Sequence, residues 1–124
     1  MIKNNYEAII LCGGLGTRFR SINETIPKTL ANVSGKPILR WLIDDLTSIG
    51  IKKIILATGY LSEEVEKFIK KNNLNNCIIS SEYKPLGTGG AIKNAEKHIK
   101  KNTFFVLNGD SRIKYDLFKL LNFH

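Results

Sequence analysis

Three short stretches hold residue types that work on phosphates. Directly after an apolar run, Leu11-Cys12-Gly13-Gly14-Leu15-Gly16-Thr17-Arg18-Phe19 sets glycines ahead of an arginine. Glycines there let backbone amides approach an anion closely, and a guanidinium spreads its donors over several phosphate oxygens. Ile26-Pro27-Lys28-Thr29-Leu30 puts a cation behind a rigid proline, in a long connection without regular periodicity. Leu107-Asn108-Gly109-Asp110-Ser111 presents a carboxylate after another apolar run. Asp110 suits magnesium, which prefers oxygen ligands and commonly takes one or two carboxylates plus substrate phosphates. Two plainer readings stand beside these: glycines that only make a tight turn, and an Asn-Gly-Asp sequence that only forms one.

Two well-defined phosphate loops are excluded. A dinucleotide fold wants G-x-G-x-x-G and an acidic residue closing the second strand, whereas position 19 is Phe and the second apolar run ends Thr58-Gly59-Tyr60. A Walker loop needs Lys followed by Ser or Thr, but Gly16 is followed by Thr17-Arg18 and Gly35-Lys36 by Pro37.

The elements that must position these residues follow from periodicity. Ala8 to Cys12, Ile54 to Thr58, Cys77 to Ser80 and Phe104 to Leu107 are short, near-continuous apolar runs, the pattern of strands covered on both faces. Between them lie helical spacings. One helix starts with Pro37 as its first residue, carries Ile38, Trp41, Leu42, Asp45, Leu46 and Ile49 on one stripe and stops at Gly50. A second has Ser62 as N-cap, Glu63, Glu64 and Glu66 early, Lys67, Lys70 and Lys71 late, and Val65, Phe68 and Ile69 inward. A third opens at Gly89 and Gly90 and runs through Ala91, Ile92, Ala95 and Ile99. Alternating strands and helices predict an α/β fold, a Rossmann-like three-layer sandwich with a mainly parallel sheet. Ligands bind such sheets beyond the carboxyl ends of the strands, here the loops after Cys12, Thr58, Ser81 and Leu107.

At 124 residues the chain is sized for a single domain over 1–124, and 43% apolar with 24% charged residues excludes disorder and fibrous repeats. The net charge of +8 raises nucleic-acid binding. Only four of the nineteen basic residues are arginines and the lysines are scattered, so no nucleic-acid partner is expected, while a phosphorylated small ligand suits the charge. Cys12 and Cys77 have neither disulfide nor zinc spacing and read as small buried hydrophobes. No signal peptide or membrane span is expected, which makes the location cytoplasmic by default. Leu117, Phe118, Leu120 and Leu121 begin another amphipathic pattern shortly before His124, so the chain reads as cut short.

In order along the chain, Leu11 to Phe19, Pro27-Lys28, Glu82 with Pro85-Leu86-Gly87-Thr88-Gly89-Gly90-Ala91, and Asn108-Gly109-Asp110 together resemble the sugar-1-phosphate nucleotidyltransferases. Within that family they are most similar to the bacterial D-glycero-α-D-manno-heptose 1-phosphate guanylyltransferases. The resemblance implies a nucleotide-diphospho-sugar transferase fold represented by its N-terminal, nucleotide-binding portion, with the C-terminal sugar-binding portion absent. It implies that Leu11, Cys12, Gly13, Gly14, Gly16 and Thr17 contact base and phosphates and that Arg18 grips the phosphates. Lys28 would bind phosphate oxygens near the reacting centre, and Gly87, Thr88 and Gly89 would approach the nucleoside. Glu82 would lie by the base or ribose, and Asp110 would hold the catalytic magnesium.

The implied reaction is attack of a sugar 1-phosphate oxygen on the α-phosphorus of GTP, with release of pyrophosphate, for surface polysaccharide precursors such as lipopolysaccharide or capsule. Arg18, Lys28 and Asp110 are the expected catalytic residues. The alternatives are a mannose- or glucose-1-phosphate nucleotidyltransferase and a non-catalytic nucleotide-binding or assembly module of the same fold. A homo-oligomer stays open. Trp41 reads as core rather than as a base-stacking platform.

Overall fold

The computed structural model describes residues 6–12, 26–59, 61–82, 87–101 and 103–112. Gly13, Gly14, Gly16, Thr17 and Arg18 of the glycine loop, and the amphipathic start at Leu117, lie outside these residues. In chain order the elements are β1 (Glu7–Leu11), β2 (Asn32–Val33), β3 (Lys36–Pro37), α1 (Ile38–Ser48), β4 (Lys53–Thr58), α2 (Ser62–Lys71), β5 (Cys77–Ser81), α3 (Gly87–Glu96) and β6 (Phe104–Asn108). A single 3-10 turn over Lys28–Leu30 precedes β2.

The strands β5, β4, β1 and β6 lie in that order in one sheet, and each neighbouring pair is parallel. Leu11 stands opposite Ala57 on one side and Asn108 on the other, so the two halves of the sheet meet at the carboxyl end of β1. That is where the strand order reverses and a crevice opens in sheets of this kind.

All five residues of β1 are buried, which is why their sequence does not alternate. The two faces still separate by the strand period of two. Ala8, Ile10, Ile54 and Leu56 pack with Ile38, Leu39, Leu42, Ile43 and Leu46 of α1 and Val65 of α2. Ile9, Leu11, Ile55 and Ala57 pack with Ala95, Ala91 and Ile92 on α3. Helices therefore cover both faces, as expected for a three-layer sandwich. Fully burying one such Ile or Leu contributes roughly 1.5–3 kcal/mol.

Three local expectations need correction. Pro37 is not the first residue of α1 but ends a small hairpin, paired with Asn32 across a two-residue turn in which Ser34 (φ 50°) and Gly35 (φ 99°) are both left-handed. That is the type I′ geometry that two-residue hairpins favour, and it takes the proline out of the helix. Ser62 does not cap α2; Leu61 occupies the cap position in the left-handed region, and the serine hydroxyl turns to its neighbours on the sheet. Trp41 is half-buried on the surface of α1 rather than in the core. Its ring nitrogen donates to the Val33 carbonyl at 2.7 Å, a polar demand that a deep core position would leave unmet. Smaller shifts concern α3, which begins at Gly87 and ends before Ile99. Gly50 stops α1 at a φ of 98°, as expected.

Candidate functional site

Segments distant in sequence meet where β1 ends. The amide of Gly109 donates to the Leu11 carbonyl at 2.8 Å, and the amide of Cys12 donates to the Ala57 carbonyl, also at 2.8 Å. A methyl group on Gly109 would stand 2.5 Å from the Leu11 oxygen and 3.0 Å from Thr29 Oγ1, so only glycine fits. Thr29 is buried, and its hydroxyl donates to Cys12 Sγ at 3.9 Å. Leu11-Cys12, Lys28-Thr29 and Gly109-Asp110 are thus brought to one place.

The 3-10 turn explains how Lys28 is presented. Pro27 enters it with extended backbone at φ −71°, the value its ring imposes, and its carbonyl accepts the amide of Leu30 at 3.0 Å. Pro27 and Thr29 are buried, and Lys28 between them is exposed. Lys28 makes no ion pair with a described residue, whereas Lys36, Lys53 and Lys67 are engaged by Asp44, Glu7 and Glu64. An exposed ammonium with no ion-pair partner among the described residues, near the carboxyl end of β1, can meet an anion from solution.

Asp110 is exposed in the turn after β6 and also makes no ion pair with a described residue. Among the described residues no group of three or more His, Cys, Asp or Glu side chains gathers as a metal cage. One accessible, hard carboxylate oxygen donor fits magnesium that draws its remaining ligands from phosphates and water, and does not fit a structural zinc or calcium site. Cys12 offers no competing chemistry. Burial pushes its thiol up to about 12, so it is protonated at neutral pH and is neither nucleophile nor metal ligand.

A second group stands at the ends of β4 and β5, on the same end of the sheet. The Glu82 amide donates to the Thr58 carbonyl at 2.9 Å, and the side chain folds over Gly59, where a methyl group would lie 3.2 Å from Oε1. Beneath it three hydroxyls close a ring: Thr58 to Ser62 at 2.8 Å, Ser62 to Ser81 at 2.9 Å and Thr58 to Ser81 at 3.3 Å. Asn94 of α3 donates to the Ser81 carbonyl at 3.3 Å. This ring holds the residue preceding Glu82 to two elements at once. It escaped the sequence reading because its members are ordinary Ser and Thr residues with no shared spacing.

Gly87 has φ 71°, so a left-handed start to α3 accounts for that glycine. Gly89 is different: it is exposed, and a methyl group there would meet no described residue within 4 Å. Thr88 lies between them in the first turn of α3. Four adjacent parallel strand ends span about 14 Å at the usual spacing between strands. The Glu82 group and the Lys28 and Asp110 group occupy opposite halves of that span.

Known proteins share this chain's sequence family and fold. The family described as Nucleotidyl transferase matches residues 7–124. A D-glycero-alpha-D-manno-heptose 1-phosphate guanylyltransferase of Campylobacter jejuni is 48% identical over 115 residues, which is 92% of this chain and 52% of that protein. A mannose-1-phosphate guanyltransferase of Neurospora crassa is 38% identical over 123 residues, covering 95% of this chain and 34% of that one. The crystal structure of HddC from Yersinia pseudotuberculosis complexed with GMP-PN superposes with a TM-score of 0.83 at 41% identity, over 94% of this chain and 53% of that one. The chain thus spans about half the length of the heptose relative and of the solved structure, and about a third of the mannose relative. No helix among the described residues is long and apolar enough to cross a membrane.

Proposed function

Since the chain belongs to the nucleotidyl transferase family, we propose that it forms the nucleotide-binding half of an enzyme that transfers GMP from GTP to a sugar 1-phosphate, releasing pyrophosphate. The convergence of Leu11-Cys12, Lys28 and Asp110 at the carboxyl end of β1 carries this reading. The sugar is D-glycero-α-D-manno-heptose 1-phosphate, supported by the heptose relative's higher identity than the mannose relative's, 48% against 38%. The enzyme works in the cytoplasm, where nucleoside triphosphates are made.

In this reading the triphosphate lies across the ends of β1 and β6. The glycine loop from Gly13 through Thr17 supplies backbone donors, and Arg18 and Lys28 neutralise the phosphate oxygens. Asp110 would hold magnesium, which supplies charge neutralisation on the triphosphate when bound. The incoming phosphate oxygen forms a bond to the α-phosphorus as the bond from that phosphorus to the bridging oxygen breaks and pyrophosphate leaves. The nucleophile is already anionic near neutral pH, so no general base is required of the chain. Its part is to hold two polyanions in line.

Glu82 gives the base preference. Guanine presents two adjacent donors, N1–H and the exocyclic amino group, to which one carboxylate accepts two hydrogen bonds, whereas adenine presents an acceptor at N1. Gly89, with no described residue within 4 Å of where a methyl group would stand, would leave room for the nucleoside. Titration of the chain with GTP, CTP, UTP, dTTP and ATP in magnesium tests the reading. Selective GTP binding, lost in Arg18→Ala, is expected; equal or absent binding of all five overturns it.

A further inference from the structure

Asp110 is anchored from both sides within two residues. Upstream, the Gly109 amide is held by the Leu11 carbonyl at 2.8 Å. Downstream, Arg112 places Nε 2.8 Å and Nη2 2.7 Å from the two carboxylate oxygens of Asp45, a two-pronged pair between the turn after β6 and the outer face of α1. Its guanidinium carbon also lies 4.7 Å from the centre of the Trp41 ring. The Lys36 ammonium is 3.9 Å from the same ring and bonds Asp44 at 2.7 Å. The ring itself is pinned by its hydrogen bond to the Val33 carbonyl. The β2–β3 hairpin, α1 and the Asp110 turn are therefore joined through one indole.

Arg112 is one of four arginines and stands two residues from the expected metal ligand, so its charge suggests a further phosphate grip. The geometry excludes this as its resting role, since the fork is occupied by Asp45 and the guanidinium faces the indole. A flat fork matched to a carboxylate and stacked on an aromatic ring fixes orientation in a way that lysine cannot reproduce. We propose that Arg112, latched to Asp45 and stacked on Trp41, is a positioning residue that fixes the turn carrying Asp110, and so sets how strongly that carboxylate shares a divalent cation with the bound triphosphate. The identity of the ligand rests on the proposed function, and the latch on the contacts of Arg112 with Asp45 and Trp41 alone.

The test uses Arg112→Lys, Asp45→Asn and the exchanged pair Asp45→Arg with Arg112→Asp, in the full chain. Amide hydrogen exchange is measured on the metal-free protein, and GTP affinity with and without magnesium. In each single variant, exchange at Gly109 to Arg112 is expected to rise while exchange in β1 and β4 stays unchanged. The strengthening of GTP binding by magnesium should fall roughly fivefold, with metal-free affinity preserved, and the exchanged pair should recover part of both effects. Unchanged exchange at Gly109 to Arg112 in both single variants overturns the latch. Equal loss of metal-free and magnesium-supported affinity overturns the positioning role in favour of a general structural one. Should the parent chain bind no GTP, the functional reading fails and with it the cation-sharing role, while the exchange result still decides the latch.

Discussion

Gly109 and Leu11 are joined by a 2.8 Å hydrogen bond so close that a methyl group on the glycine would stand 2.5 Å from the leucine carbonyl oxygen. The end of β1 and the Asp110 turn are thus one rigid unit, and the obstacle to any side chain is backbone rather than a yielding side chain. Gly109→Ala is expected to cost about 1–3 kcal/mol by overpacking and to move Asp110. Chemical denaturation together with magnesium-supported GTP titration checks it. An alanine variant of parental stability would show that the two strand ends separate easily.

Lys28 and Asp110 are exposed and make no ion pair with described residues, so their loss should spare the fold and affect the ligand. Lys28→Ala should change stability by less than about 0.5 kcal/mol and weaken GTP binding by roughly 1.5–3 kcal/mol, the worth of a hydrogen bond to a charged group. Asp110→Ala should remove the effect of magnesium on that binding. Lys67→Ala is the control, because its ammonium already pairs with Glu64 on α2, away from this site. Calorimetry on the three variants separates these outcomes; equal weakening by Lys67→Ala would point to net charge alone.

Glu82→Gln replaces one carboxylate acceptor by an amide donor at an unchanged backbone position. If Glu82 reads guanine as proposed, the variant should lower the preference for GTP over ATP by about 1.5–3 kcal/mol and leave the phosphate contacts intact. Competition titration reads the ratio directly. A constant ratio in this variant would assign base selection elsewhere.

Glu7 supplies a pH dependence at the opposite end of the sheet. Burial opposes its ionisation, but the amides of Lys100 and Lys101, each 2.7 Å from Oε1, and the Lys53 ammonium 3.2 Å from Oε2 outweigh it and hold the carboxyl below its ordinary 4.5. A depressed carboxylate contributes stability that is complete above its unfolded pKa and is lost as pH falls through the lower folded value. Glu7→Gln should therefore destabilise at pH 7 by about 1.5–3 kcal/mol, because the two amides and the half-buried Lys53 ammonium lose a charged acceptor. The gap to the parent should narrow as pH falls from 4.5 through the lower folded value, where the parent's carboxylate also becomes protonated. Urea denaturation at several pH values measures it; a gap independent of pH would mean that the carboxylate's charge is not what stabilises.

Along the chain, local pattern sufficed for much of this. The unbroken apolar runs at Ala8 to Cys12 and Ile54 to Thr58 indicate strands buried on both faces, because only such strands have no solvent side to mark with polar residues. The alternation with helical spacings then leaves a parallel sheet as the economical arrangement, and ordered motifs at its strand ends carry the family. Lys28 and Asp110 stand out as candidates because their chemistry and their places after a proline and after a strand are local facts. Trp41 and Ser62 were misread for the opposite reason. An apolar stripe does not say that an indole N–H will reach the Val33 carbonyl, nor a serine at a helix start that its hydroxyl will turn to Thr58 and Ser81.

What the chain by itself determined is the four strands of the main sheet, the three helices between them and the residues whose types suit phosphate, since these depend on neighbours within a few positions. Only the tertiary structure decided which of those residues meet. The Gly109 amide finds Leu11, Glu7 finds Lys100 and Lys101, and Arg112 finds Asp45, partners 98, 93 to 94 and 67 positions apart. Such pairings come from strand order and register, which emerge when the two apolar faces of the sheet are buried together and leave no trace in local spacing.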